Sequence, residues 1–315
     1  MLPWHISRLL ISAVLIHAAL FSQSTAPGSF VTIGYGARAI GMGNALTSLG
    51  GKRANSAYNP ALAATAVERD VSLSAGILSL DRSLDWVSFT QPLKPTAGLT
   101  LGILHAGVSN IDGRDADGVH TEDYSTSENQ FSFTFANRFS DRLALGLTLK
   151  LYYVKLFQDL SSTTAGFDLG ATYAVNGDLT VGVAILDINS KYKWDSSKLY
   201  GSSGASTIDK LATRTRIGAS YCLPNGIGRA AADVEYASTG RTVLRVGSEI
   251  SVADGISVRC GIDRVSLREK MLAIPSLGFG VEPSIASLLV AVDYAFVFEP
   301  YSSGNMHVIT LSVRP

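Results

Sequence analysis

The sequence predicts an all-β membrane protein, a 14-stranded antiparallel outer-membrane β-barrel with an N-terminal hatch segment. The first reason is composition. Charged residues make up 17% of the 315, against about 25% in typical soluble domains, yet beyond residue 30 the longest apolar run, 288–298, contains Asp293 and is too short for a spanning helix. The second reason is that segments beyond residue 70 alternate between apolar and small or polar residues. Since backbone groups in lipid must be paired internally, a closed sheet is the alternative to helices.

The N-terminal residues have the pattern of a secretory signal peptide. Arg8 precedes an apolar run over 9–21, and small residues follow at Ser24 and Ala26. Positive, apolar and small-residue regions in this order are typical of a signal peptide, so we assign 1–24 to a leader cleaved near Ser24 or Ala26. An uncleaved anchor helix is the alternative, which the short apolar run disfavours. Export and a barrel together predict the outer membrane of a Gram-negative bacterium, with its lipid as a partner.

Fourteen strands follow from the alternation. In the clearest of them, 143–157, leucines at every second position from 143 to 151 alternate with small or polar residues. An even strand number suits single-chain bacterial barrels. The predicted strands are 71–77, 84–91, 97–109, 129–138, 143–157, 163–175, 179–188, 213–222, 229–238, 241–252, 256–267, 275–283, 287–298 and 306–314.

The connections mostly alternate between short turns and longer loops, as the periplasmic and external links of such barrels do. The two longest predicted loops are 110–128 and 189–212. The second carries Tyr192, Trp194 and Tyr200, and aromatic residues are enriched at binding hot spots, so this loop is the candidate partner surface. Anchoring at the membrane interface is the competing interpretation.

Residues 25–70 have no strand-like run and are rich in glycine and alanine. They contain GARAIGMGNAL at 36–46 and NSAYNPA at 55–61. This segment resembles the start of the PorV/PorQ family of outer-membrane proteins, which are related to the FadL-type fatty-acid transporter barrels. The resemblance implies that 25–70 form a hatch or plug and 71–315 the barrel. It marks as the hatch motif Gly36, Arg38, Gly41, Gly43, Asn59, Pro60 and Ala61.

Two functions follow from this resemblance. The first is a non-enzymatic PorV/PorQ-type protein that serves protein export or surface attachment, as in type IX secretion, with export-machinery proteins as partners. The alternative is a FadL-like transporter of small hydrophobic compounds. From the residues alone, Pro60 and Asn59 form a good boundary for a short helical piece, because proline fixes its own φ and asparagine bonds nearby backbone. A structural and a gating role of this motif both stay open.

Inward-facing positions of the predicted strands carry charged side chains. Because an isolated charge is costly in such a setting, we expect these groups to pair across neighbouring strands or with the hatch. A structural network is the more general interpretation, and substrate selection is the alternative. The predicted lumen charges are Lys150, Asp168, Asp233, Glu235, Arg245, Arg259, Asp263 and Asp293.

Other chemistry has little support in the sequence. Cys222 and Cys260 fall three predicted strands apart, beyond the reach of a disulfide, so we expect two free thiols. The acidic residues of loop 110–128 lack EF-hand spacing and the histidines lack zinc-ligand spacing, so no metal is predicted. A net charge of zero gives no reason to expect nucleic acid, and no nucleophile elbow or dinucleotide fingerprint indicates an enzyme or a cofactor.

Overall fold

A computed structural model describes residues 27–51, 53, 55–157, 160–267, 271–285, 288–300 and 302–314, so the predicted leader lies outside the described residues. The strands in this part of the chain are β1 (Asp70–Ile77), β2 (Arg82–Leu93), β3 (Ala97–Arg114), β4 (His120–Arg138), β5 (Leu143–Phe157), β6 (Leu160–Ala174), β7 (Leu179–Ile188), β8 (Lys191–Asp195), β9 (Ser206–Lys210), β10 (Arg214–Cys222), β11 (Gly228–Ala237), β12 (Thr242–Ala253), β13 (Ile256–Ser266), β14 (Ile274–Val281), β15 (Ser284–Ile285), β16 (Leu288–Val297) and β17 (Met306–Arg314).

The structure confirms the predicted 14-stranded antiparallel barrel. Strands β1–β7, β10–β14, β16 and β17 pair in one continuous ring, which closes where β1 pairs with β17 and β14 with β16. The short β15 extends the edge of β16, and β8 and β9 form a separate hairpin. Each barrel strand matches one predicted segment. In the described part of the chain, the helices are all too short or too polar to cross a membrane.

The helices are short. Helix α1 (Ala37–Gly41) and two 3₁₀ turns, Ser29–Thr32 and Pro60–Thr65, lie in the N-terminal segment. Helix α2 (Ser197–Tyr200) and the 3₁₀ turn Gly201–Ser203 lie between β8 and β9, and a 3₁₀ turn at Pro224–Gly226 joins β10 to β11.

The two faces of the barrel wall differ as the alternation requires. On β5 the outward leucines Leu145, Leu147, Leu149 and Leu151 are exposed, whereas the intervening residues are mostly buried. A continuous exposed apolar surface of this kind is typical of a face that meets lipid. The wall therefore fits an outer membrane.

Both long loops predicted from the sequence contain strands. Residues 110–128 are a continuation of the β3–β4 hairpin, with Ile111 opposite Tyr124 and a turn only over 115–119. Residues 189–212 hold the β8–β9 hairpin. The prediction of a loop was wrong for 110–128 because both faces of the extended β3 and β4 are mostly polar there, so no alternation marks them. In β8 the aromatic Tyr192 and Trp194 do alternate with polar residues, but only over five residues.

Candidate functional site

The N-terminal segment, residues 27–69, contacts the inner face of the wall through its backbone. Eight strands present a glycine to it, and an added Cβ would collide with the segment at most of these positions: at Gly261 it would lie 2.1 Å from the amide nitrogen of Gly43. The absence of side chains allows two backbones to approach closely. The glycines are Gly98, Gly146, Gly170, Gly182, Gly218, Gly247, Gly261 and Gly278.

The first half of the predicted hatch motif forms helix α1 and its ends. Gly36 and Gly43 flank the helix with φ of 84° and 60°, values that glycine adopts without a Cβ penalty. Gly41 packs on Gly278. Arg38 donates to both carboxylate oxygens of Glu249 at 2.8 Å, so the helix is joined to β12 by a bidentate ion pair.

The second half of the motif, Asn59-Pro60-Ala61, begins the 3₁₀ turn Pro60–Thr65. The Asn59 side chain accepts a hydrogen bond from the Ala61 amide at 3.0 Å, while its Nδ2 donates to the carbonyls of Thr47 at 2.8 Å and Ala171 at 3.0 Å. One buried side chain thus caps the turn, holds two parts of the segment together and joins them to β6. This arrangement is that of a structural tether.

Replacing Asn59 with alanine is expected to loosen this tether. Three hydrogen bonds are lost and two backbone carbonyls lose a buried donor, which costs about 1–3 kcal/mol per unsatisfied group. Limited proteolysis should therefore cleave within 27–69 faster in Asn59→Ala than in wild type, with heat-modifiable mobility of the barrel unchanged. Asn176→Ala, in the turn between β6 and β7, is the matched control; equal cleavage of all three proteins contradicts the tether.

The predicted lumen charges are all buried and all have partners. Lys150 Nζ lies 2.8 Å from Asp168 and 2.7 Å from Asp187, and Arg214 joins Asp187 to Glu235. Together these ion pairs link the neighbouring strands β5, β6, β7, β10 and β11 along the inner face of the wall. The low dielectric constant of the lumen strengthens each of these ion pairs, and loss of one member would leave the other as an unpaired buried charge.

Further pairs tie the wall to the N-terminal segment. Arg245 contacts Asp263 at 2.6 Å, and Asp263 accepts a hydrogen bond from Asn44. Asp233 accepts both the amide and the hydroxyl of Thr47, at 2.9 and 2.6 Å.

A separate group lies beside helix α1. Arg259 pairs with Glu249 and Asp293, and Arg53 of the segment also contacts Asp293. Burial, together with the guanidinium groups of Arg38 and Arg259, lowers the pKa of Arg53 to about 9.

Two residues of the site escape the alternation rule. Asp187 follows the inward Leu186 and is expected to face lipid, but it has a φ of 61° at a register shift between β6 and β7, which turns its carboxylate inward. Arg264 has a φ of 56° beside a similar shift and donates to the carbonyl of Thr32 at 2.8 Å. Bulges of this kind redirect a side chain without an alternation signal. Arg214 and Arg216 lie at inward positions of β10, so alternation could have located them, but the predicted lumen charges do not include them.

One part of the lumen is apolar. Phe30 and Val31 of the turn Ser29–Thr32 are buried, and the Phe30 ring packs edge-on against Tyr152 with centroids 6.4 Å apart. These side chains belong to one packed apolar cluster that is continuous from the segment to the wall, and this cluster is called the apolar chamber below. Its other members include Tyr35, Leu84, Trp86, Leu104, Val154, Tyr192, Leu211, Val297, Met306 and Val308.

The proposed partner loop does not present its aromatic residues together. Tyr192 is 3% exposed because its ring packs between Tyr152 and Trp194, and the Trp194 indole donates to Asp209 at 2.8 Å. Tyr200 alone is well exposed, at 67%. The prediction that Tyr192 belongs to a partner surface was wrong, since the β8–β9 hairpin folds this ring into the apolar chamber.

Cys222 and Cys260 are free thiols, as predicted.

Three oxygen or nitrogen ligands, from Asp112, His120 and Asp123, lie within 4.8 Å of one another at the exposed end of the β3–β4 hairpin. Asp112 already pairs with His120 and Arg114 there.

Comparison with solved structures identifies the architecture. The toluene transporter TodX of Pseudomonas putida superposes with a TM-score of 0.61 at 13% identity, over 89% of this chain and 96% of that one. The monoaromatic hydrocarbon channel CymD gives 0.64 at 14%, over 90% and 97%, and a Pseudomonas aeruginosa FadL homologue gives 0.62 at 12%, over 89% and 98%. The chain has the FadL-type barrel fold.

These solved structures are transporters and channels rather than enzymes. No protein-family model and no curated protein matches the sequence. The comparisons thus support the FadL side of the resemblance and give no support to the PorV/PorQ assignment or to export-machinery partners.

Proposed function

We propose that the protein is a non-enzymatic outer-membrane transporter of small hydrophobic compounds. The observation that carries this proposal is the apolar chamber, a packed cluster of aromatic and aliphatic side chains inside a barrel of FadL-type fold. The N-terminal segment contributes Phe30 to this cluster and the wall contributes Tyr152, so displacement of Phe30 would open an apolar site. Apolar pockets with few polar groups are the usual sites for small apolar ligands. TodX and CymD, which carry toluene or monoaromatic hydrocarbons, share the fold.

The N-terminal segment acts, in this proposal, as a plug. A 14-stranded barrel is wide enough to need filling, and the segment contacts glycines on eight strands while its polar groups pair with the wall. Phe30 is the plug residue that fills the apolar chamber. A ligand must therefore either displace Phe30 or pass beside it.

Uptake measurements test the proposal directly. Cells that produce the protein in their outer membrane should take up radiolabelled toluene faster than cells with an empty vector, and the increase should saturate with concentration. An unchanged rate, with the protein shown to be folded in the outer membrane by its heat-modifiable mobility, would refute transport of this ligand class.

The variant Phe30→Ala should raise the uptake rate severalfold. Removal of the ring leaves a cavity beside Tyr152, which frees part of the apolar chamber and costs the plug about 3–5 kcal/mol of packing. The matched control is Phe139→Ala, because Phe139 is 66% exposed and lies outside the lumen. If both variants behave as wild type, Phe30 does not obstruct the ligand.

A further inference from the structure

One carboxylate of the wall faces the apolar chamber. Glu128 of β4 lies directly opposite Ala106 of β3 and Val154 of β5. Side chains that are directly opposite in an antiparallel sheet lie on the same face of it. Ala106 and Val154 are buried members of the apolar chamber, so the Glu128 side chain also points into the lumen beside that chamber.

The Glu128 carboxylate has no hydrogen-bond or ion-pair partner among the described residues, and it is half-buried. This separates it from the ionic network on the neighbouring strand, where Lys150 is paired with both Asp168 and Asp187. A carboxylate that is partly withdrawn from water and lacks a counter-charge favours the binding of a cation. Glu128 therefore gives this side of the chamber a negative charge that the protein itself leaves unpaired.

A second polar group of the chamber also lacks a partner. The Tyr192 side chain is 3% exposed, and its hydroxyl oxygen has no hydrogen-bond partner in the part of the chain that the structure describes. The charge of Glu128 acts on this hydroxyl, so the two groups lie near each other. Buried hydroxyls in folded proteins are almost always satisfied. The Tyr192 hydroxyl thus marks a position for a polar group of a ligand beside Glu128.

The surroundings of these two groups are aromatic. The Tyr192 ring packs against Tyr152 and Trp194, with centroids 6.4 and 5.5 Å apart, and Tyr152 lies diagonally across the β4–β5 pair from Glu128. Aromatic rings attract a cation through their quadrupole. A calcium ion would need six or more oxygen ligands, which these two side chains do not supply. A carboxylate, a hydroxyl oxygen and aromatic rings suit an organic ammonium group instead.

We propose that Glu128 and Tyr192 bind the cationic nitrogen of a small hydrophobic amine, whose apolar body enters the apolar chamber. The inference rests on the proposed function and names a substrate class within it. Organic ammonium compounds are favoured, and organic anions are disfavoured because Glu128 repels them.

Binding measurements on the purified full-length protein in a non-ionic detergent test this inference. The probes are benzylammonium chloride, which is positively charged at pH 7, and benzyl alcohol, a neutral molecule of nearly the same shape. Isothermal titration calorimetry gives the dissociation constants for wild type, Glu128→Gln and the matched control Asp117→Asn. Asp117 is exposed in the turn of the β3–β4 hairpin, so this control removes a surface charge from the same hairpin.

Wild type and Asp117→Asn should bind benzylammonium at least about tenfold more tightly than benzyl alcohol, because charge-assisted hydrogen bonds are roughly twice as strong as neutral ones. In Glu128→Gln the two affinities should become nearly equal. Equal affinities in wild type, a preference retained in Glu128→Gln or an equal loss in Asp117→Asn overturns the cation site. Tyr192→Phe keeps the ring and should lower the preference severalfold. If Glu128→Gln does not fold, an unchanged preference in Tyr192→Phe overturns the site.

Uptake into cells separates this inference from the proposed function. A preference that depends on Glu128, in a protein that takes up neither toluene nor benzylamine, overturns the transport function but not the cation site. Uptake of toluene by a protein that has no preference for benzylammonium overturns the cation site while the proposed function stands.

Discussion

Asp187→Ala is expected to lower the free energy of unfolding of the barrel by about 3–5 kcal/mol, the loss typical of breaking a buried ion pair by removal of one partner. The Asp187 carboxylate accepts from Lys150 at 2.7 Å, from the Tyr152 hydroxyl at 2.5 Å and from Arg214 at 3.0 Å. Alanine leaves these buried donors without this acceptor. The measurement is the urea concentration at which the folded, heat-modifiable band disappears.

The surface change Asp141→Ala serves as the control, because Asp141 is exposed in the turn between β4 and β5. A double variant, Asp187→Ala with Arg214→Met, removes the cation that has lost its nearest carboxylate and should recover part of the loss. Lys150 keeps Asp168 in this variant, and Glu235 keeps Arg216 and Arg245. Equal midpoints for Asp187→Ala and wild type would show that water replaces the carboxylate in the lumen, and the network would then contribute little to stability.

The barrel could be predicted from sequence because a wall with lipid outside and a filled lumen inside imposes one rule on every strand. The run of leucines on β5 is the plainest example, because Leu145, Leu147, Leu149 and Leu151 lie outward and are exposed. Alternation gives no signal where both faces of a strand meet water. The outer ends of β3 and β4 stand in such a place, so their pairing of Ile111 with Tyr124 had no signal in the sequence.

The site was harder to predict than the wall. Alternation placed Lys150 and Asp168 in the lumen, but Asp187, the second carboxylate that Lys150 contacts, lies at a backbone irregularity that alternation cannot locate. Tyr192 illustrates a different limit, since its burial depends on the hairpin folding back over the lumen. Long-range packing of this kind leaves no local pattern.

The eight glycines that face the N-terminal segment also appear in the sequence only as small residues on an inward face. Their contacts give the second large expected effect. An added Cβ at Gly170 would lie 2.0 Å from the Asn59 Oδ1 and 2.7 Å from the Pro60 Cδ, so Gly170→Leu cannot accept the segment in its present position. Overpacking of this kind destabilises by about 1–3 kcal/mol. It weakens the contact between segment and wall and leaves the strand pairing intact.

Gly170→Leu should therefore remain a heat-modifiable barrel but conduct ions in planar bilayers far better than wild type, because the wide lumen loses its filling. Gly177→Leu is the matched control: Gly177 lies in the turn between β6 and β7 with no atom within 4 Å of an added Cβ, and it should conduct as wild type does. A variant lacking 27–69 should reproduce the conductance of Gly170→Leu if displacement of the segment is the cause. High conductance in the deletion with none in Gly170→Leu would mean that the segment tolerates the leucine by shifting. Low conductance in both would mean that the wall side chains close the lumen without the segment, and that residues 27–69 are not a plug.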